Sequence, residues 1–220
     1  MKRRLVTAVG ALVFTTFLGA TPIPIFNTGL NSSSVVLAGG SVDPHYTLIT
    51  SADANGPGPN AFVGSPIPGA WISDNATSEW LSPNTAGTMN LNPGLYVYMT
   101  SFILPTGFSL ASLTGQWATD NNATMQLNGN TVAGPTTDVS FLSFTPFLIS
   151  SGFVTGTNTL TFLVNNISAA ANPTGLRVEI SGTFTPAEAV PEPATLAIVG
   201  AGILALLVLR KRCQTSTASR

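Results

Sequence analysis

The chain has 220 residues, of which only eight are Lys or Arg and nine Asp or Glu, with one His and one Cys. Between positions 41 and 189 a single cation, Arg177, stands against Asp43, Asp53, Asp74, Glu79, Asp120, Asp138, Glu179 and Glu188, a balance that excludes nucleic acid as a partner. Cys213 lies close to the C-terminus, so no disulfide braces the body of the chain and its stability must come from packing.

Positions 1–4 are basic after the initiator Met and 5–20 are apolar, the charged and hydrophobic regions of a secretory signal peptide. Cleavage fits after Leu18-Gly19-Ala20 or after Val36-Leu37-Ala38. The second is favoured, because Val suits the inspected position better than Leu. Residues 21–34 show no periodicity, so 1–38 is read as signal peptide plus a discarded or disordered segment.

The region 42–184 is long enough for a core and reads as strands: short runs of Val, Ile, Thr, Tyr and Phe separated by Gly, Pro and Asn, with no sustained helical period. A first strand is predicted over 46–51. The Gly- and Pro-rich stretches 55–60 and 65–69 cannot continue a ladder and are loops. Residues 96–104 are apolar on both faces, which predicts a central strand covered on each side or lying between two layers. The last strand, 176–184, alternates: Leu176, Val178, Ile180 and Phe184 point to the core, and Arg177, Glu179, Ser181 and Thr183 to water. The fold class is therefore all-β, an antiparallel β-sandwich.

The middle of this region adds a more specific pattern. A strand around Gly115-Gln116-Trp117 leads through Asp120-Asn121-Asn122 to Asn128-Gly129, a pair suited to a two-residue hairpin with positive φ. Phe144-Thr145-Pro146-Phe147 follows, then a Gly-x-Asn-x-Leu strand from Gly156. In this order the elements, over 113–178, resemble the galactose-binding-like jelly roll, including the sugar-binding domain of β-galactosidase-type glycoside hydrolases. That resemblance implies a jelly-roll ectodomain and, more loosely, a carbohydrate ligand such as a polysaccharide.

The chemistry open to the domain is narrow. With His45 its only imidazole, no Cys and no Lys, it can build neither a catalytic triad nor a His-rich metal site. Sparse carboxylates such as Glu79 and Asp120 are not brought together by any spacing, so glycoside hydrolysis is the least supported reading, and no enzyme and no cofactor are expected. Trp71 and Trp80, beside loops, are candidate stacking platforms for sugar rings, with Asp74 and Asn75 as polar contacts. Trp117 reads as core. Asp120, Asn121 and Asn122 read first as turn formers and second as hard-oxygen ligands for calcium.

The C-terminus has three parts in order. After a linker at 185–189 come Pro191-Glu192-Pro193, a rigid extended tripeptide, then an apolar run at 194–209, then Arg210-Lys211-Arg212. As a helix the run would reach ~24 Å, short of the ~30 Å hydrocarbon core yet insertable with slight thinning. The basic cluster holds the far side in the cytoplasm and sends the bulk of the chain outward. This arrangement, 190–213, resembles the PEP-CTERM sorting signal of exported bacterial proteins. The resemblance implies one transmembrane helix, recognition by a membrane-embedded exosortase, removal of the helix, and a cell-surface or extracellular protein of exopolysaccharide-producing bacteria. Residues 214–220 would form a cytoplasmic tail. The competing reading is a permanent anchor.

Overall fold

The computed structural model describes residues 19–85, 90–187, 198 and 200–207. Within the first of two compact units, which ends at Ala187, thirteen strands follow in chain order: β1 (Thr21–Pro22), β2 (Val42–Thr50), β3 (Asn60–Val63), β4 (Leu81–Ser82), β5 (Asn90–Leu91), β6 (Gly94–Leu104), β7 (Leu110–Asp120), β8 (Asn122–Leu127), β9 (Asn130–Ala133), β10 (Thr145–Ile149), β11 (Gly156–Asn166), β12 (Asn172–Pro173) and β13 (Gly175–Thr185). The hydrogen-bonded order is β10-β7-β13-β4-β3-β2-β6-β11-β8-β9, with β1 added to β13. Pairing is antiparallel throughout this ladder.

Two unbroken pairs of eleven-residue strands are the spines of the two layers. In one, β7 and β13 stay in register from Asp120 opposite Gly175 to Leu110 opposite Thr185; in the other, β6 and β11 run from Leu104 opposite Gly156 to Gly94 opposite Asn166. Because side chains alternate across a strand, one face of each pair meets the other layer. Leu113, Trp117, Val178 and Ile180 thus close on Tyr96, Tyr98, Phe102, Leu160 and Phe162 in one buried cluster, and the Trp117 and Phe162 rings lie 5.8 Å apart. Fully burying one such side chain stabilises by about 1.5–3 kcal/mol. The hairpin expected at Asn128-Gly129 joins β8 to β9, with φ of 51° and 82° at its two turn residues. A side chain tolerates that backbone poorly, and Asn and Gly are the residues that adopt it.

The structure corrects three expectations here. β6 is fully covered on one side only: Tyr96, Tyr98, Phe102 and Leu104 enter the core, whereas on the other face Val97 is buried but Leu95 and Ile103 are exposed. Apolar content on both faces was therefore not burial on both faces. β13 is the reverse case. Its apolar residues face the core as predicted, but Arg177 on the opposite face is also buried, at 0% exposure. Finally, residues 21–37 do not lie outside the fold: Ile23 and Leu30 are buried and β1 pairs with β13.

The second unit spans Glu188–Arg220. Residues 198 and 200–207 are helical, with Ile198, Ile203, Leu204, Leu206 and Leu207 all exposed. Among the described residues no helix is long and apolar enough to cross a membrane. The expected span at 194–209 lies partly outside them, as do Pro191, Glu192, Pro193 and the basic cluster at 210–212.

Candidate functional site

The second face of the β7–β13 pair is covered by the irregular chain between β3 and β4. Ile67 and Ile72, with Phe141 and Phe144 from the segment before β10, pack on Trp71, Trp80 and Ala118. Ala118 lies opposite Arg177 in the ladder, so the cover closes over the guanidinium. Two polar side chains shape this cover. Asp74 accepts the Trp80 backbone N–H at 2.8 Å, and Asn75 accepts those of Thr77 and Ser78 at 2.7 and 3.2 Å, bending the chain back.

Both tryptophans expected to serve as stacking platforms are buried instead. Trp71 is 5% exposed and Trp80 0%, their rings 4.2 Å apart, and each indole N–H is engaged: Trp71 Nε1 donates to Asp120 Oδ2 at 2.9 Å and Trp80 Nε1 to the Ile72 carbonyl at 2.8 Å. An indole whose face packs on protein cannot stack on a sugar. Proximity to loops had suggested exposure, but here the loop itself is the lid. Trp117 is core, as read from its strand.

Arg177 is the nexus of this layer and was missed as such in the sequence. Its Nε donates to Ser78 Oγ at 2.8 Å, its Nη1 to the carbonyls of Ile72 and Ser73, and the guanidinium lies 5.1 Å from the Phe144 ring centroid. Ser78 Oγ in turn donates to Glu179 Oε1 at 2.9 Å, whose other oxygen accepts from Gln116 Nε2 at 2.7 Å. Asp74 and Glu179 carboxylates stand 3.8 and 3.9 Å from the guanidinium nitrogens. Burial pushes the Arg177 pKa down, while the charges of Asp74, Glu179 and Glu79 push it back up. Glu79, whose Oε2 is buried without a partner, is raised to about 7, first by burial and then by the neighbouring Asp74 charge. Burial also raises Asp74, against the Trp80 amide and Arg177.

The loop considered for calcium is differently employed. Asp120 is buried and directed to Trp71, its carbonyl accepts from Thr174 Oγ1 at 2.6 Å, and burial lifts its carboxyl to about 6 against the pull of the indole bond. Asn121 Oδ1 accepts the Ile167 N–H at 2.7 Å and Asn122 Nδ2 donates to Asp138 Oδ1 at 2.6 Å. The side-chain oxygens of Asp120 and Asn121 thus accept different N–H groups, and among the described residues no three acidic, His or Cys side chains converge on a metal position. Each of the three side chains bonds a partner distant in sequence rather than the amides of its own turn. His45 stacks on Phe26 with ring centroids 3.7 Å apart.

A polar hollow of about 420 Å³ opens on the outer face of β7–β13, lined by residues that include Asn27, Thr114, Gln116, Glu179, Ile180 and Ser181. A second hollow of about 380 Å³ shares Asn27 and Ile180 with it and continues past Phe26 to Ala76 and Thr77. Asn75, one of the expected polar contacts, is exposed beside this second hollow, whereas Asp74 is tied into the Arg177 network.

Residues 189–212 match the family model of the PEP-CTERM protein-sorting motif. The match takes in Pro191-Glu192-Pro193, the apolar run and Arg210-Lys211-Arg212. No curated protein matches the chain. Among solved structures, the sandwich is similar to a family 35 carbohydrate-binding module (CBM35) from Paenibacillus barcinonensis, with 15% identity, a TM-score of 0.32, and coverage of 62% of this chain and 92% of that one. It is also similar to a family 35 module from Clostridium thermocellum, with 13% identity, a TM-score of 0.32, and 57% and 88% coverage. The CBM35 of Abf62 from Cellvibrio japonicus gives 18%, 0.32, 64% and 94% in the same terms. A likeness this loose carries no argument about ligand.

Proposed function

We propose that this chain is an exported protein of the cell surface or extracellular matrix, sorted and cut at its C-terminal signal by an exosortase-type membrane protease, and working among exopolysaccharide or biofilm components. The observation that carries this reading is the match at 189–212. In it Pro191-Glu192-Pro193 is the element the protease reads, the apolar run holds the precursor in the inner membrane, and Arg210-Lys211-Arg212 is the stop on the cytoplasmic side. The exposed apolar side chains of the helical stretch 200–207 support a segment whose natural cover is lipid. The carboxylates of Asp43, Asp74 and Asp120 support a non-catalytic cargo, because each is raised by burial yet committed to backbone amides, to Trp71 or to the Arg177 network.

The test uses Cys213, which lies beyond the motif. The unaltered protein is expected to lose a thiol label at Cys213 and to partition to the surface or medium. Glu192→Ala, which removes the only charge from the tripeptide, is expected to accumulate as a membrane-bound form that keeps it. If the unaltered protein retains the label and Glu192→Ala changes neither length nor location, the tail is a permanent anchor.

A carbohydrate-binding module is the second reading, and one observation favours it: the paired hollows present Asn27, Thr114, Gln116, Glu179 and Ser181, the amide, hydroxyl and carboxylate groups that fix sugar hydroxyls. Loss of glycan binding on Gln116→Ala, with an unchanged melting temperature, would support it.

A further inference from the structure

We propose that the export signal is cut after Ala20, and that residues 21–38 remain in the mature protein as an integral part of the sandwich. The proposal rests on reading 1–20 as a signal peptide, and it reverses the preference that residue size alone gives to the site after Ala38.

The segment is bound through groups that the rest of the domain cannot satisfy by itself. Ile23 is 4% exposed in the main core, and its N–H donates to the Gly182 carbonyl at 2.8 Å. Asn27 Oδ1 accepts the Ile180 N–H at 2.7 Å, and Thr28 Oγ1 accepts the Val178 N–H at 3.0 Å while donating to the Glu79 carbonyl at 2.7 Å. The two β13 amides served here point to the segment rather than to a strand, so side chains of 21–38 take the place of a ladder partner. The Glu79 N–H donates back to the Thr28 carbonyl at 3.0 Å. On the other side, Tyr46 Oη donates to the Phe26 carbonyl at 2.9 Å, and buried Asp43 accepts the Gly29 N–H at 2.7 Å. Leu30 is 5% exposed, and Leu37 packs against the main core with its N–H on the Gly29 carbonyl.

A cut after Ala38 would detach all of these groups from the chain. It would take away the partners of the Val178 and Ile180 amides, the Tyr46 hydroxyl and one Asp43 carboxylate oxygen, and would open to water the core that Ile23 and Leu30 cover. Among the described residues, a cut after Ala20 removes only Gly19 and Ala20, both exposed, and Thr21 is the first of them that pairs in a strand, opposite Phe184. The chemistry is hydrolysis of one amide, in which water adds across the Ala20–Thr21 bond to leave a carboxylate on Ala20 and an ammonium on Thr21. A signal peptidase accepts the small Ala20 side chain before that bond. The placement also fits the topology: Thr21 pairs beside the end of β13, so the described sandwich begins and ends at the same pole.

The full chain, expressed in cells that export it, is analysed by N-terminal sequencing and intact mass, alongside Ala20→Phe and Ala38→Phe. Both positions are exposed, so neither substitution disturbs the core. The expected result is Thr21 as the N-terminal residue of the unaltered protein and of Ala38→Phe, with Ala20→Phe accumulating as the uncut precursor. An N-terminus at Gly39, a retained leader in the unaltered protein, or blocked processing in Ala38→Phe would overturn the proposal. This readout is independent of the fate of Cys213, so it fails or stands separately from the sorting reading.

Discussion

Replacing Arg177 by Ala tests whether the one cation of the sandwich is structural. If alternation along β13 told the whole story, Arg177 would sit on a wet face beside Glu179, and its loss would cost about 0–1 kcal/mol, as for exposed ion pairs. The structure gives a different sum. Truncation leaves Ser78 Oγ and the Ser73 carbonyl without their donor, leaves the Ile72 carbonyl with Trp80 Nε1 alone, and leaves Asp74 and Glu179 without the charge that offsets theirs. Removing one partner of a fully buried pair costs about 3–5 kcal/mol. Asp74 and Glu179 side chains keep 25% and 18% of their exposure, which places the expected cost at the lower end, about 3 kcal/mol. For a domain of this size that lowers the melting temperature by about 6–12 °C. Tryptophan fluorescence makes the measurement local, because Trp71 and Trp80 lie under the same cover, 4.2 Å apart. The variant is expected to show a red-shifted emission and increased quenching at temperatures where the sheet signal in circular dichroism is still native. A loss below about 2 °C with unchanged emission would refute the argument, since surface substitutions stay within about 0.5 kcal/mol.

Val178→Asp places an unpaired carboxylate in the main core, where Val178 is 0% exposed; it is expected to abolish cooperative folding, and retention of a native melting transition would mean the β13 register is shifted by one residue. The melting temperature of the unaltered protein is expected to rise between about pH 8 and about pH 5. The sign follows from Glu79: its folded pKa of about 7 lies above its ordinary 4.5, so the native state holds the proton more tightly, and the resulting stability is present at low pH and lost as pH rises through the folded value. Asp120, raised to about 6, acts in the same sense, while Asp53, held low by the amides of Asn55 and Asn92, opposes it only in more acid solution. Glu79→Gln is expected to flatten this slope, and an unchanged slope would remove Glu79 from the account.

The parts of the fold that were legible in the sequence are those governed by local rules. A period-2 run marked β13, the Gly-x-Asn-x-Leu pattern marked β11 and Asn128-Gly129 marked the hairpin, because each needs only neighbouring residues to be specified. The cover over β7–β13 was not legible. Residues between β3 and β4 have no period, since they are held by Asx turns and by a guanidinium more than a hundred positions away in sequence. The same holds for residues 21–37, whose binding runs through Asn27 and Thr28 side chains to β13 amides. Two weak signals were present. Ser78 lies between Asp74 and Glu79 in a region, 41–189, with one cation to neutralise them, and two tryptophans flank that stretch.

The burial of Arg177 has a consequence for any partner of the domain. No other Lys or Arg occurs between positions 21 and 189, so with Arg177 at 0% exposure the surface carries no side-chain guanidinium or ammonium at all. An acidic polysaccharide would find no Lys or Arg to pair with, and the net negative charge of the domain would repel it across about a Debye length, 8–10 Å at physiological salt. The polar hollows, with their Asn, Thr, Gln and Ser side chains beside one carboxylate, are suited by contrast to an uncharged glycan. Binding of a neutral polymer should then be insensitive to ionic strength, because no counterions are released on association, and affinity for a polyanion that falls steeply with added salt would contradict this reading of the surface.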